Sequence, residues 1–227
     1  MSDTTNVVRV NNILLGGLER PTLQWLAAHS PAWVTPDLYT AVGTLGSVAA
    51  FGGYLLTRLH PGFLWLASFG FLVNWFGDSL DGTLARHRHI ERPLYGFFVD
   101  HALDVISAVL FFTGLGLSPY INFTVASLTL VAFLMMCSLA FLRTYVVGEF
   151  QLSYSMLGTT EARVLAVLLN TAMFFFGPQA WPVQLGPLGG FTLNPYDLSM
   201  AAVGLLLLYF FVTTAWKEGV RLAREAR

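Results

Sequence analysis

Residues 38–57 are twenty consecutive positions without a charged side chain. As a helix that run is long enough to cross the ~30 Å hydrocarbon core of a bilayer, where the backbone must satisfy its own hydrogen bonds. Comparable runs follow at 63–85, 94–117, 123–147, 161–177 and 198–216, the apolar part of 161–177 being the shortest. The spacing predicts an all-α fold, a polytopic membrane helix bundle with six transmembrane helices in a single domain over 1–227. Only 11% of the chain is charged, less than half the ~25% usual for soluble domains. Residues 11–29 are too polar and too short to cross. Leu14, Leu18, Leu23 and Trp25 alternate there with Glu19, Arg20 and Pro21, which predicts an N-terminal interfacial helix broken near Pro21. Thr35 or Asp37 is placed to cap the first span.

Net charge is −1, so no global basic field points to nucleic acid. The start is polar and does not read as a cleavable signal peptide. The lone Cys137 lies in an apolar run, reads as core and excludes an intramolecular disulfide. With six spans both termini share a side, and of the 12 Lys and Arg residues only Arg58 falls on the other. The positive-inside rule then puts both termini in the cytosol, in the plasma (inner) membrane.

Four aspartates interrupt this apolar sequence. Asp78 and Asp81 are three apart near the end of the second span; Asp100 and Asp104 are four apart in the first half of the third. Both spacings put a pair on one helix face. A charge at the centre of a span costs at least ~2.5–3.5 kcal/mol, and neighbouring carboxylates repel. Divalent cations would offset both penalties. A polar seam that packs helices, or an ion pathway, would also account for them. Asp78 precedes Arg86 by eight residues, or ~12 Å of helix. That depth lies within reach of both water and lipid.

Asp78-x-x-Asp81-Gly82-x-x-Ala85-Arg86, followed by Gly96-x-x-x-Asp100-x-x-x-Asp104, resembles the signature of the CDP-alcohol phosphotransferase (CDP-alcohol phosphatidyltransferase) family at all eight of its positions. Nine residues separate Arg86 from Gly96, where the family more often has eight. The added residue falls in a polar link that tolerates insertion. The resemblance implies an integral membrane enzyme of phospholipid synthesis. It would transfer a substituted phosphate from a CDP-linked alcohol to an acceptor hydroxyl, releasing CMP. Two divalent cations, Mg²⁺ or Mn²⁺, are implied with it. Carried over by position, Asp78, Asp81 and Asp100 are metal ligands, and Asp104 completes the metal site and serves as base. Gly82 and Ala85 would let the nucleotide lie against the second span, and Arg86 would contact phosphate or act as a topological anchor.

His101 adds a second candidate base, because Asp100-His101-x-x-Asp104 resembles the choline/ethanolaminephosphotransferase branch. Arg143 and Arg163 flank the loop after the fourth span. The resemblance implies that they hold an acceptor phosphate; positive-inside topology explains them equally. His87, Arg88 and His89 read as solvated. The donor stays open between CDP-diacylglycerol with a polar alcohol and a CDP-amino-alcohol with diacylglycerol. A homodimer is implied too; the small residues in the spans suit contacts between protomers or within one. The alternative outside the enzyme class is a cation transporter or channel built on the aspartates.

Overall fold

The computed structural model describes residues 8–10, 16–147, 149–151, 158–179, 181–184 and 190–225. Among the described residues, seven helices carry the fold: α1 Gly16–Ala28, α2 Pro36–Leu56, α3 Phe63–His87, α4 Pro93–Leu117, α5 Phe123–Val147, α6 Thr159–Phe176 and α7 Pro195–Glu225. Two short strand pairs accompany them. β1 (Val8–Val10) lies parallel to β2 (Glu149–Gln151), and β3 (Trp181–Gln184) lies antiparallel to β4 (Gly190–Leu193). Neither pair carries a clear strand signal; Pro182 and Gly190 within β3 and β4 are weak strand formers.

Helix α2 begins where its capping chemistry sits. Thr35 Oγ1 accepts the Leu38 N–H at 3.2 Å, and Pro36 takes the first helical position. Its small residues then set how closely α3 approaches. Gly53 meets Ala67, Gly70 meets Ala50 and Gly46, Asn74 meets Gly46, and Gly77 meets Gly43. Numbers rise on one helix as they fall on the other, so α2 and α3 are antiparallel neighbours over nearly their whole length. A Cβ at Gly46, Gly53, Gly70 or Gly77 would lie under 3.0 Å from the facing backbone. The small residues of α2 are thus used inside the chain.

Helices α2, α4, α5, α6 and α7 are long and apolar enough to cross a membrane. Helix α3 has 25 residues, but Asn74, Asp78 and Asp81 dilute its apolar run. Leu45, Leu128, Leu205 and Val212 stay exposed on the bundle, an apolar surface suited to lipid. Inside, Tyr54, Leu64, Phe71, Leu115, Met173 and Met200 form the main core. Leu23 and Ala27 of α1 pack on Leu80 and Leu84 of α3 in a second cluster. Buried polar side chains tie the helices together. Tyr54 donates to Asn170 Oδ1 at 2.9 Å, and Asn170 donates to Ser68 Oγ at 3.1 Å. At the start of α7 the buried Asp197 accepts backbone N–H groups from Asn122 and Asn194 at 2.7 and 3.0 Å.

Several details depart from the sequence reading. Helix α1 is unbroken at Pro21; the proline, sixth in the helix, forfeits only the one bond it would give to residue 17, and the packing of Leu23 and Ala27 on α3 offsets that loss. Helix α7 continues through the basic tail to Glu225, because Arg221 pairs with Glu218 and Glu225 one turn either way. Arg88 is not simply solvated: it donates to the carbonyls of Ser30, Pro31 and Val34, pinning the α1–α2 link to the end of α3. Cys137 is only partly buried. Residues 11–15 of the expected interfacial helix, most of the polar loop at 148–158 and the tail at 226–227 lie outside the described residues.

Candidate active site

Helices α3 and α4 both pack on α2, with their backbones apart and side chains such as Phe71 and Phe111 meeting between them, ring centroids 4.4 Å apart. Their aspartates therefore face one another across a cleft floored by α2. One carboxylate oxygen each from Asp78, Asp100 and Asp104 falls within a 4.8 Å group. Gly43 sets the depth of this floor: a Cβ there would sit 3.1 Å from the Asp78 backbone nitrogen. Asp81 stands one turn nearer the helix end. Thr40 Oγ1 of α2 donates to its Oδ2 at 2.7 Å, and the Gly82 N–H to its Oδ1 at 2.5 Å.

All four aspartates line a cavity of about 810 Å³. Its remaining wall comes from Glu19, Arg20, Leu23 and Gln24 of α1, from Ser79, Gly82, Thr83, Arg86 and His87 of α3, and from Thr159 and Thr160 at the start of α6. The aspartates of α3 and α4 make one side acidic, and Arg20, Arg86 and His87 add basic groups to the wall. Arg86 is exposed and donates to Thr83 Oγ1 at 3.2 Å. Its guanidinium lies over Gly82, 3.2 Å from where a Cβ would be. Ala85 is half-buried outside this lining.

The two arginines expected near an acceptor phosphate are engaged by carboxylates. Arg163 of α6 donates to Asp78 Oδ2 at 2.6 Å, with its side chain 11% exposed. Arg143 of α5 pairs with Glu218 of α7 at 2.9 Å. His101 is buried beside the cavity rather than on its lining. Its Nδ1 lies 3.7 Å from Asp100 and 3.9 Å from Asp104, and its ring packs edge-on to Phe97 with centroids 4.3 Å apart. These distances exceed a direct hydrogen bond.

The donor set is all carboxylate oxygen, converging from two helices at a half-buried site. Hard divalent cations such as Mg²⁺ and Mn²⁺ favour such ligands. The residues present therefore fit a metal centre.

Glu19 was not singled out by the motif. Its Oε1 accepts from Trp75 Nε1 at 2.9 Å, Thr160 Oγ1 at 2.9 Å and Ser79 Oγ at 3.4 Å, so it joins α1 to α3 and α6 at the cavity wall. The available signal was position: Glu19 and Leu23 are four apart, and Leu23 is buried, so a carboxylate sits on the packed face of α1. Glu19→Ala would leave Trp75 and Thr160 without their charged acceptor, a loss of about 2 kcal/mol. Expected in hydrogen exchange is a ~30-fold faster opening of α1, with the α2–α3 amides unchanged. Equal acceleration throughout the bundle would contradict this local role.

The sequence profile of the CDP-alcohol phosphatidyltransferase family matches residues 33–216. The chain belongs to this family. A relative, phosphatidylinositol phosphate synthase of Cutibacterium acnes (strain DSM 16379 / KPA171202), is 38% identical over 88 residues. That stretch covers 38% of this chain and 39% of the relative's length. The fold is similar to the crystal structure of Mycobacterium tuberculosis phosphatidylinositol phosphate synthase with CDP-DAG bound, at a TM-score of 0.55 and 22% identity. The superposition covers 87% of this chain and 91% of that one. At this identity the likeness concerns the fold. The family profile begins after α1, so it includes α3 and α4 with all four aspartates but not Glu19.

Proposed function

We propose that this protein transfers a substituted phosphate from a CDP-linked alcohol to an acceptor hydroxyl and releases CMP, as a metal-dependent step of phospholipid synthesis. The observation that carries this reading is the convergence of Asp78, Asp100 and Asp104 on the wall of one large cavity. Family membership favours it over a cation pathway. CDP-diacylglycerol is the donor and a polar alcohol the acceptor: the relative is named a phosphatidylinositol phosphate synthase. His101 packs against Phe97 outside the cavity lining, which weighs against its acting as base.

Asp78, Asp81, Asp100 and Asp104 would hold two divalent cations, which when bound neutralise the diphosphate and stabilise the charge that develops on transfer. The protein's own groups do the rest. The acceptor oxygen bonds to the β-phosphorus as the bond from that phosphorus to the bridging oxygen breaks, and CMP leaves with that oxygen. Asp104 takes the proton from the acceptor hydroxyl. Gly82 leaves room for the nucleotide, Ala85 keeps the helix surface beside it low, and Arg86 pairs with phosphate. Arg163, held on Asp78, and Arg143, held on Glu218, supply the positive charge for a phosphorylated acceptor.

The whole chain, 1–227, acts as one domain with six crossings. The α2–α3 pairing supports counting α3 among them, since α3 runs beside a helix apolar enough to cross. Both termini and the cavity mouth face the cytosol in the plasma membrane, and the protein works as a homodimer.

A panel of CDP donors tests the reading. Purified protein should release CMP from CDP-diacylglycerol in the presence of Mg²⁺ or Mn²⁺ and a polar alcohol, and should stop when the cation is chelated. Release from CDP-choline or CDP-ethanolamine with diacylglycerol would reverse the donor assignment. No release from any donor would refute the enzyme reading.

A further inference from the structure

Asn74 lies one helical turn before Asp78 and is 4% exposed. Its amide orientation is fixed by its neighbours. Nδ2 donates to the Gly43 carbonyl at 3.2 Å and to Ser47 Oγ at 3.0 Å, and a carbonyl can only accept. Oδ1 therefore points elsewhere. It is buried and receives no hydrogen bond from any described residue, a deficit that folded proteins seldom leave uncorrected.

Asn74 also lines a small chamber among the aspartates, together with Thr44, Ser107, Asp78 and Asp104. About 10 Å³ is open there to the centre of a water-sized sphere, by that measure room for one water molecule. Polar walls make it a wet site rather than a dry void. Ser107 Oγ is 2.8 Å from Ser47 Oγ. Asn74 Nδ2 gives to Ser47, either serine can donate across the Ser47–Ser107 contact, and Ser47 has the Gly43 carbonyl at 3.4 Å as a second acceptor. With Ser47 giving to Ser107, the Ser107 O–H is available to the chamber that Ser107 lines.

We propose that Asn74 is a positioning residue for the carboxylate cluster, acting through one buried water. The water accepts from Ser107 and donates one hydrogen to Asn74 Oδ1 and the other to an aspartate oxygen. The ring satisfies the orphaned amide oxygen and fixes the direction in which that carboxylate presents its remaining lone pairs. Outer groups that hold ligating carboxylates raise metal affinity in this way. The inference rests on reading the aspartates as a metal centre.

The test is Mn²⁺ binding followed by electron paramagnetic resonance on the purified full chain, without substrate. Asn74→Leu keeps the branched outline, adds some bulk, and removes the Oδ1 acceptor together with the Nδ2 donor. It should weaken Mn²⁺ binding by about tenfold or more. Ser107→Ala should act in the same direction, and the double variant should lose little beyond the larger single effect, because both act through one water. Ser107→Ala removes only a hydroxyl and decides the matter if Asn74→Leu does not fold. Lowered melting temperature with unchanged Mn²⁺ affinity in both would assign Asn74 to packing and overturn the proposal. If the wild-type chain binds no Mn²⁺, the metal reading itself falls and the proposal with it; binding by wild type and both variants alike overturns this inference alone.

Discussion

Asp100→Asn is expected to lower CMP release by about 1,000-fold, about 4 kcal/mol of lost transition-state stabilisation at 1.36 kcal/mol per tenfold. The amide has nearly the same shape as the carboxylate, so packing is preserved while one of the carboxylates that would hold the cation is lost. Stability should respond with the opposite sign. Asp78, Asp100 and Asp104 bring carboxylate oxygens within 4.8 Å of one another, and removing one charge relieves their repulsion. In chelator the variant should therefore melt no lower than the parent chain. On adding Mn²⁺ the parent should gain stability through linkage, and the variant should gain much less. Equal stabilisation of both proteins would show that Asp100 does not hold the cation.

Gly46→Val is expected to damage the bundle severely. A Cβ at residue 46 would press on the backbone of Asn74 and Gly70, closer than 3.0 Å. Backbone cannot turn aside as a side chain can, so α2 and α3 must separate. Overpacking of this kind costs about 3 kcal/mol, or ~6–12 °C in melting temperature for a domain of this size. The separation would also displace Asn74 and, one turn on, Asp78. Activity should fall along with stability. Gly52→Val on the same helix is the control: a Cβ there meets nothing within 4 Å, so melting temperature and CMP release should stay near the parent values. Similar losses in both variants would point to valine's helix propensity, not to the α2–α3 contact.

Much of this molecule was legible because the bilayer and the signature each impose a rigid pattern. An uncharged run of twenty residues has few alternatives to a helix, and helices α2 to α6 begin and end within two residues of the runs read from the sequence. Spacings of three and four residues forced each aspartate pair onto one face. The α1–α2 clamp by Arg88 was illegible, since a loop arginine is ordinarily solvated and nothing local says which carbonyls will come near. Glu19 lay outside the motif, on a helix read only as interfacial. Arg143 and Arg163 were weighed as phosphate ligands or topological anchors. Each also meets a carboxylate, Arg143 at Glu218 and Arg163 at Asp78, contacts between residues 75 and 85 positions apart in sequence.

The residue string by itself determined a membrane bundle, the helix faces that carry acid, and the membership that the signature announces, because those depend on local periodicity and fixed spacing. Only the tertiary structure decided that α3 and α4 meet across a floor made by α2, that α1 closes the cavity through Glu19, and that His101 stands off its lining. Those outcomes depend on how near two backbones can come, and that distance is set by glycines such as Gly43 and Gly46 on a helix that contributes no ligand of its own.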